Sequence, residues 1–424
     1  MSLFGAGLRR GRRAVVPAVV LLVCPLAAVG CGGGDDDGKG GAAKASAPSK
    51  SSAKPLKIAV LLNATGPALS GNQYAPPVLQ AWAKDVNAKG GVAGHPVAFD
   101  IHDLKADPTK ATAAAAKVSA DPDVVAMLSF DPYTETVYAK TVAKAGLAVI
   151  GGYGSAPNVW AAEKNWLPLV TTFPSSINAP FIAGKARGAR RTAAVVCAEY
   201  PTCAAIGPIA KNASSKLGLD YASTVKVSLT SPDYTAPCLQ LKQQQVDLVD
   251  LTLDATSNMR FAKACHTQGF SGTFAMSDGS IGPKVMAETD LGVPILTTVT
   301  AFPWWVDAPP VKAYQDLMKR SGVDDDAWGN PNGSAAYAAM ELFRKTLDAT
   351  KAQLPSTPTR KDIIAAYGNV RDESLDGLVP QPISFTPDAP QQHVTCFWVS
   401  QFEHGKFSGA ELDKPTCDPP ELAG

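Results

Sequence analysis

Of the side chains in this chain that could do chemistry, Cys31 is the most informative. It ends the run Leu26-Ala27-Ala28-Val29-Gly30-Cys31, behind a basic head (Arg9, Arg10, Arg12, Arg13) and an apolar stretch over 14–23. Small residues leading to a cysteine in that setting are the pattern of a bacterial lipoprotein signal. Cleavage leaves the cysteine as the mature N-terminus, carrying lipid on its sulfur. The alternative is an uncleaved membrane anchor, but Pro17 and Pro25 interrupt the apolar run, which is short against the roughly 20 residues a span needs. Either reading places the rest of the chain outside the cytoplasm, lipid-anchored to the cell membrane in the first case.

Cys24 leaves with the signal, so six cysteines follow Cys31: Cys197, Cys203, Cys238, Cys265, Cys396 and Cys417. An even number in an oxidising compartment points to disulfides. Fifteen pairings exist for six cysteines. Proximity in sequence favours Cys197–Cys203, Cys238–Cys265 and Cys396–Cys417, with buried free thiols as the other possibility. The five histidines (His95, His102, His266, His393, His404) are scattered without metal-ligand spacing. HExxH, P-loop and CxxC patterns are absent from the sequence, so no metal or cofactor is expected. Asp278-Gly279-Ser280-Ile281-Gly282 is not a G-x-S-x-G elbow, because a glycine directly precedes the serine. Without a nucleophile–base pair or a metal, an enzyme is not the expected reading. A net charge of +1 with 18% charged residues gives no basic field for nucleic acid.

Residues 1–30 thus read as signal peptide and 31–55 as a tether. Gly32-Gly33-Gly34-Asp35-Asp36-Asp37-Gly38 and the Lys, Ser, Ala and Gly beyond it show no apolar periodicity and form no core. From Lys57 the pattern changes. Lys57–Leu62 is a short apolar run suited to a buried parallel strand. Pro76-Pro77 suits a helix start, Val78, Leu79, Trp82 and Val86 have helical spacing, and Gly90-Gly91 stops that helix. Val97, Phe99 and Ile101 alternate as a strand, and Asp107-Pro108 supplies an N-cap and a first-turn proline. Strands at 124–128 and 147–150 flank a helix over 134–145. A second series, from near Ala179, predicts strands at 192–197, 223–227, 246–253, 273–276 and 295–300. Its predicted helices are 204–217, 236–244, 258–268 and 282–287. Helices at 311–321, 334–347 and 361–367 follow, then strands at 382–385 and 394–401. Alternating β and α in two series predicts an α/β chain of two doubly wound parallel-sheet lobes. Ligands bind such sheets beyond the carboxyl ends of the strands, here at a shared crevice.

These residues resemble the periplasmic leucine/isoleucine/valine-binding protein family, the type I substrate-binding proteins of ABC transporters. The most specific match is Asn87-Ala88-Lys89-Gly90-Gly91-Val92-Ala93-Gly94, then the helix start Asp107-Pro108-Thr109-Lys110-Ala111 and the strand Asp123–Ser129. The resemblance spans about 57–399 and is thinner in the second half. It implies a hinged pair of lobes, one formed by 56–175 and 303–380, the other by 176–302 and 381–424. It also implies ligand contacts. Ser129 stands where the family offers a hydroxyl to a ligand carboxylate, although Phe130-Asp131-Pro132 departs from the pattern. Ser155 matches the Ser/Thr that binds the ligand head group, and Tyr153 a backbone contact. Ser155 could instead be a cap or turn serine. Thr202, or Tyr200, lies in the loop after the second lobe's first strand. Asp278 matches the acid that pairs with a ligand ammonium, although Asp-Gly is also a common surface turn. Ser70 stands where the family often has an aromatic residue. Trp304 and Trp305 either line the cleft edge or pack in the core.

The function implied is a solute receptor, a monomer that hands a small amino acid or amide to an ABC permease in the membrane. The other reading is a sensor of the same fold that signals to a membrane partner.

Overall fold

The computed structural model describes residues 53–66, 71–151, 159 and 163–422. Cys31, Ser70, Tyr153 and Ser155 lie outside the described residues. Among the described residues, no helix is long and apolar enough to cross a membrane.

Two sheets carry the chain, the first parallel and the second parallel except at its Cys396–Glu403 edge. The first holds β1 (Leu56–Leu62), β2 (Val97–Asp103), β3 (Val124–Phe130), β4 (Ala148–Ile150) and β5 (Trp166–Leu167), in the order β2-β1-β3-β4-β5. β1, β3 and β4 are largely apolar and buried because both faces are covered, whereas the edge strand β2 carries Asp100, His102 and Asp103 and is mostly half-buried. Ile58, Val60 and Leu62 pack with Trp82 of the helix Ala75–Ala88. Ala59, Leu61 and Met127 pack with Val118 and Tyr138 of the helices Pro108–Ala120 and Glu135–Lys144. Asp107 caps as its sequence predicts, accepting from Thr109 N and Lys110 N. The double glycine is required where it stands: Gly91 has φ +81°, and a Cβ there would lie 2.0 Å from the His95 carbonyl oxygen.

The second sheet holds β6 (Arg191–Cys197), β7 (Asp220–Val227), β8 (Leu248–Leu251), β9 (Thr273–Ser277), β10 (Ile295–Val299), β11 (Cys396–Glu403) and β12 (Lys406–Ser408), ordered β12-β11-β10-β9-β8-β6-β7. A short β13 (Thr416–Cys417) pairs with β11. β6 to β10 run parallel, and β11 returns antiparallel to β10.

The chain passes between the sheets after β5, after β10 and before β11. Where the first and third passages lie side by side, Thr172 N donates to Val394 O at 2.8 Å and the Thr171 hydroxyl donates to Cys396 O. After the second passage come the helices Pro309–Arg320, Asp325–Trp328, Pro331–Ala349 and Arg360–Tyr367. Arg360 locks the last of these to the first sheet. Its guanidinium donates to the carbonyls of Val118, Ser119, Asp121, Val124 and Ala145. That planar fork serves carbonyls at two helix ends and at the start of β3; those of Val118 and Asp121 also accept from Asp121 N and Val124 N at 3.3 Å.

The three favoured disulfides are present: Cys197–Cys203, Cys238–Cys265 and Cys396–Cys417. Two expectations need correcting. The segment 382–385 is not a strand; it retains one isolated bridge, Ile383 with Glu373. Pro380, Pro382 and Pro387 remove the donors a ladder needs. Conversely, Phe173–Ala186 is a helix although Pro180 lies inside it, and that proline hid it from the sequence pattern. Trp304 and Trp305 prove to be packing residues: Trp305 stacks on Phe407 at 4.6 Å, and Trp304 meets Phe407 edge-on.

Candidate functional site

Parallel strands end at loops, and the loops of the two sheets face each other. A cavity of about 100 Å³ lies among them. Pro132 and Tyr133 enter from the loop after β3, Thr171 and Phe173 from the first passage, Thr202 and Cys203 from the start of the helix Pro201–Lys216, and Thr252 from beyond β8. Ser277, Asp278 and Ser280 enter from the end of β9 and the 3-10 turn Asp278–Ser280. A smaller adjoining cavity shares Asp278 and adds Phe130, Thr300, Pro331 and Ala335.

Asp278 is the carboxylate of this lining, and no Lys, Arg or His stands among the described lining residues. The turn that carries it is not a surface turn, since Asp278 is only 8% exposed. Its Oδ1 accepts from Thr300 N at 2.8 Å, and its Oδ2 accepts from the Thr300 hydroxyl. Thr300 begins the second passage between the sheets, so the acid is held by the hinge itself. Burial pushes the Asp278 carboxyl up to about 6, against the two Thr300 hydrogen bonds, which pull it down. A desolvated carboxylate with free lone pairs and no cationic neighbour is a site for an ammonium or another strong donor.

Thr202 reaches the cavity, and the Cys197–Cys203 bridge ties its helical turn to the end of β6. Tyr200 does not line the cavity but meets Tyr133 across the cleft, ring centroids 4.5 Å apart. Ser129 is placed differently from its expected role. It is fully buried, donates to Glu135 Oε1 at 2.7 Å and shares a 3.0 Å hydrogen bond with Tyr138 OH. Strand alternation explains this: Ser129 faces the helix side, while Phe130 turns to the cleft. Asp131, part of the departure noted in the sequence, organises the loop. It accepts from Asn63 Nδ2, Tyr133 N, Thr134 N and the Thr134 hydroxyl. The sequence reading missed Thr171, Ser176, Thr252 and Ser280 as lining residues. Thr252 directly follows β8, a position that strand-end logic could have found.

The model of a family described as "Periplasmic binding protein" matches residues 55–407. No curated protein matches the chain significantly in sequence. Among solved structures, a leucine-binding protein from Thermotoga maritima is 18% identical, with 83% of this chain and 97% of that one covered at a TM-score of 0.68. A branched-chain amino acid transporter protein from Thermus thermophilus with bound valine is 14% identical, covering 87% and 97% at 0.75. A solute-binding protein from Rhodopseudomonas palustris HaA2 in complex with p-hydroxybenzoic acid is 20% identical, covering 87% and 98% at 0.70.

Proposed function

Because this chain belongs to the periplasmic binding protein family, we propose that its ligand is a small amine-bearing solute, an α-amino acid or related amide. The chain itself is an extracytoplasmic solute-binding protein of the ABC-transporter type, from a family of binding proteins rather than enzymes. The proposed ligand sits between the lobes with its ammonium on Asp278. Ser155 and the backbone at Tyr153 receive its other polar end, Thr202 lines its flank, and an ABC permease takes it up. Lipid on Cys31 holds the protein at the membrane, and 31–55 is its tether. The lobes are 56–175 with 303–380 and 176–302 with 381–424. Ser129 has no side-chain part in this arrangement, its hydroxyl being engaged by Glu135 and Tyr138.

The observation that carries the reading is the buried Asp278 in a lining without a described cation. The structural relatives bind solutes as different as valine and p-hydroxybenzoic acid. A ligand carrying only a carboxylate would face Asp278 unpaired, a like-charge approach that costs affinity. A thermal-shift panel tests this with α-amino acids, amides, benzoates and short fatty acids. A ligand at one hundred times its Kd adds about 2.7 kcal/mol of stability. Amine-bearing ligands should stabilise and simple carboxylates should not. Stabilisation by benzoates alone would overturn the reading. The sensor alternative shares the same site and differs only in the membrane partner.

A further inference from the structure

The C-terminal tail, residues 409–422, contributes no residue to the two cleft cavities. It is nevertheless fastened around the hinge at three points. The first is covalent. β13 pairs with the start of β11, and Cys417 is bonded to Cys396. Cys396 is where the third passage ends, and its carbonyl oxygen accepts from the Thr171 hydroxyl of the first passage. The second point is Asp418. Its N–H donates to Thr395 O at 3.0 Å, and its Oδ2 accepts from the Ser175 hydroxyl at 2.8 Å and Asn178 Nδ2 at 2.9 Å. Both side-chain donors lie in the first two turns of Phe173–Ala186, the helix that directly follows the first passage.

The third point is Leu412. Its carbonyl accepts from Trp398 Nε1 of β11 at 3.1 Å. Its side chain lies against Gly377, where a Cβ would stand 3.4 Å from Leu412 Cδ2. Gly377 ends the 3-10 turn Leu375–Gly377, which packs on Pro331–Ala349, and that helix packs with Ala75–Ala88 on the first sheet. The tail therefore touches both sides of the hinge and two of its passages. Across a groove of about 440 Å³ it faces the second passage at Val306, Asp307 and Ala308.

The three bridges differ in access. Cys238 and Cys265 are 0% exposed, and Cys197, Cys203 and Cys396 are buried, whereas Cys417 is exposed. Reduction requires a thiolate to reach a sulfur, so exposed bridges are the labile ones. We propose that residues 409–422 are a strap across the hinge, and that reduction of Cys396–Cys417 by an extracytoplasmic dithiol loosens it and frees the lobes to open. The dithiol's thiolate attacks the Cys417 sulfur, and the Cys396 sulfur leaves as thiolate. The dithiol's second sulfur then displaces Cys417. Two electrons pass: both cysteines end as thiols, with protons from the dithiol, and the dithiol ends as its own disulfide. The contacts of Asp418 and Leu412 persist, so the tail loosens without unfolding either lobe. The inference rests on the reading of the chain as a hinged binding protein, not on the class of its ligand.

Hydrogen exchange of the full chain, purified in detergent and treated with dithiothreitol, is the test. Alkylation and peptide mapping show which bridge has opened. Cys396–Cys417 should open at least about tenfold faster than the other two. Exchange at Thr172 and Thr395, whose N–H groups donate to Val394 O and Gln381 Oε1, should then rise by at least about tenfold, with β8 and β9 unchanged. The double variant Cys396→Ala, Cys417→Ala should show the same pattern without reductant. Cys238→Ala with Cys265→Ala removes a bridge of similar separation, 27 residues against 21, and should leave exchange at the passages at the wild-type rate. That contrast separates a strap from a crosslink that merely stabilises. Earlier opening of either buried bridge, or unchanged exchange at Thr172 and Thr395 once Cys396–Cys417 is reduced, would overturn the strap. Neither result touches the ammonium reading, since no ligand enters the experiment.

Discussion

The two lobes reach rigidity by different means. All six cysteines after Cys31 lie from position 197 onward, and two of the three bridges brace elements packed on the second sheet: Cys197–Cys203 beside the cleft and Cys238–Cys265 between the helices Thr235–Gln243 and Ala255–Thr267. The first lobe has none of these bridges and relies on hydrogen-bond hubs. Arg360 gathers five carbonyls, and Asp131 gathers four donors in the loop that enters the cleft. The cleft walls differ in the same way. The second lobe presents an acid and hydroxyls on a covalently stiffened frame, whereas the first presents Phe130, Pro132 and Tyr133 on a loop whose polar groups are already satisfied. In the proposed arrangement, Asp278 on the stiffened second lobe fixes the ligand's ammonium, and Phe130, Pro132 and Tyr133 of the first lobe supply apolar surface beside it.

The contrast can be broken most severely at Arg360. Arg360→Ala removes a charged donor shared by five carbonyls and should lower stability by about 3–5 kcal/mol, given that hydrogen bonds to a charged group contribute about 1.5–3 kcal/mol each and the group is partly exposed. Arg360→Lys should recover little, because one ammonium cannot serve five carbonyls. Chemical denaturation of the variants reads both.

Next come the bridges. In the chain-entropy model, removing Cys238–Cys265, with a separation of 27 residues, costs about 3.5 kcal/mol, and removing Cys197–Cys203, with a separation of 6, about 2 kcal/mol. Cys→Ala pairs followed by calorimetry should show the second lobe melting first, with the first lobe's transition hardly moved. A single unchanged transition would mean that the lobes do not unfold separately.

A third effect concerns pH. Asp418 docks the C-terminal tail on the helix Phe173–Ala186, its Oδ2 accepting from Ser175 and Asn178, and burial pushes its carboxyl up to about 6 against those two hydrogen bonds. Its raised value in the folded state contributes stability that is complete below about pH 4 and lost as pH rises through about 6. Asp418→Asn should therefore gain on the wild type as pH rises from 4 to 7, by at most about 3 kcal/mol. A difference that shrinks with rising pH would reverse the sign and refute the assignment. Fully buried Asp250, with no partner for either oxygen among the described residues and pushed upward by burial, adds in the same direction.

The smallest effect belongs to the exposed ion pair Lys284–Asp326, 2.8 Å long, which joins the helix Pro283–Thr289 to Asp325–Trp328 across the cleft. Lys284→Ala should change stability by no more than about 1 kcal/mol, and the difference should vanish at high salt.

Much of this was legible in the sequence. Apolar runs of four to six residues, Asp107-Pro108 and Gly90-Gly91 mark strands, caps and stops by local rules, and the sequence spacing of the cysteines matched their pairing. The helix Phe173–Ala186 was not legible, because Pro180 breaks a local rule that tertiary packing overrides. The cleft was half legible. Asp278 stands out as an acid beyond a buried strand, but its grip by Thr300 joins residues 22 apart in sequence. Ser129 shows the reverse case: being at a strand end says nothing of which face a hydroxyl takes until the partners, Glu135 and Tyr138, are seen.

The central claim is that Asp278 receives a ligand ammonium. The most direct measurement is the affinity of an α-amino acid identified in the thermal-shift panel, titrated at pH 7.5 and 5.0 against wild type and Asp278→Asn. A carboxylate that titrates near 6 when free should hold the ligand at least about tenfold less tightly at the lower pH. The Asn variant should lose affinity at pH 7.5 and show no such pH dependence. Equal affinity in both proteins, with the same pH profile, would contradict the account.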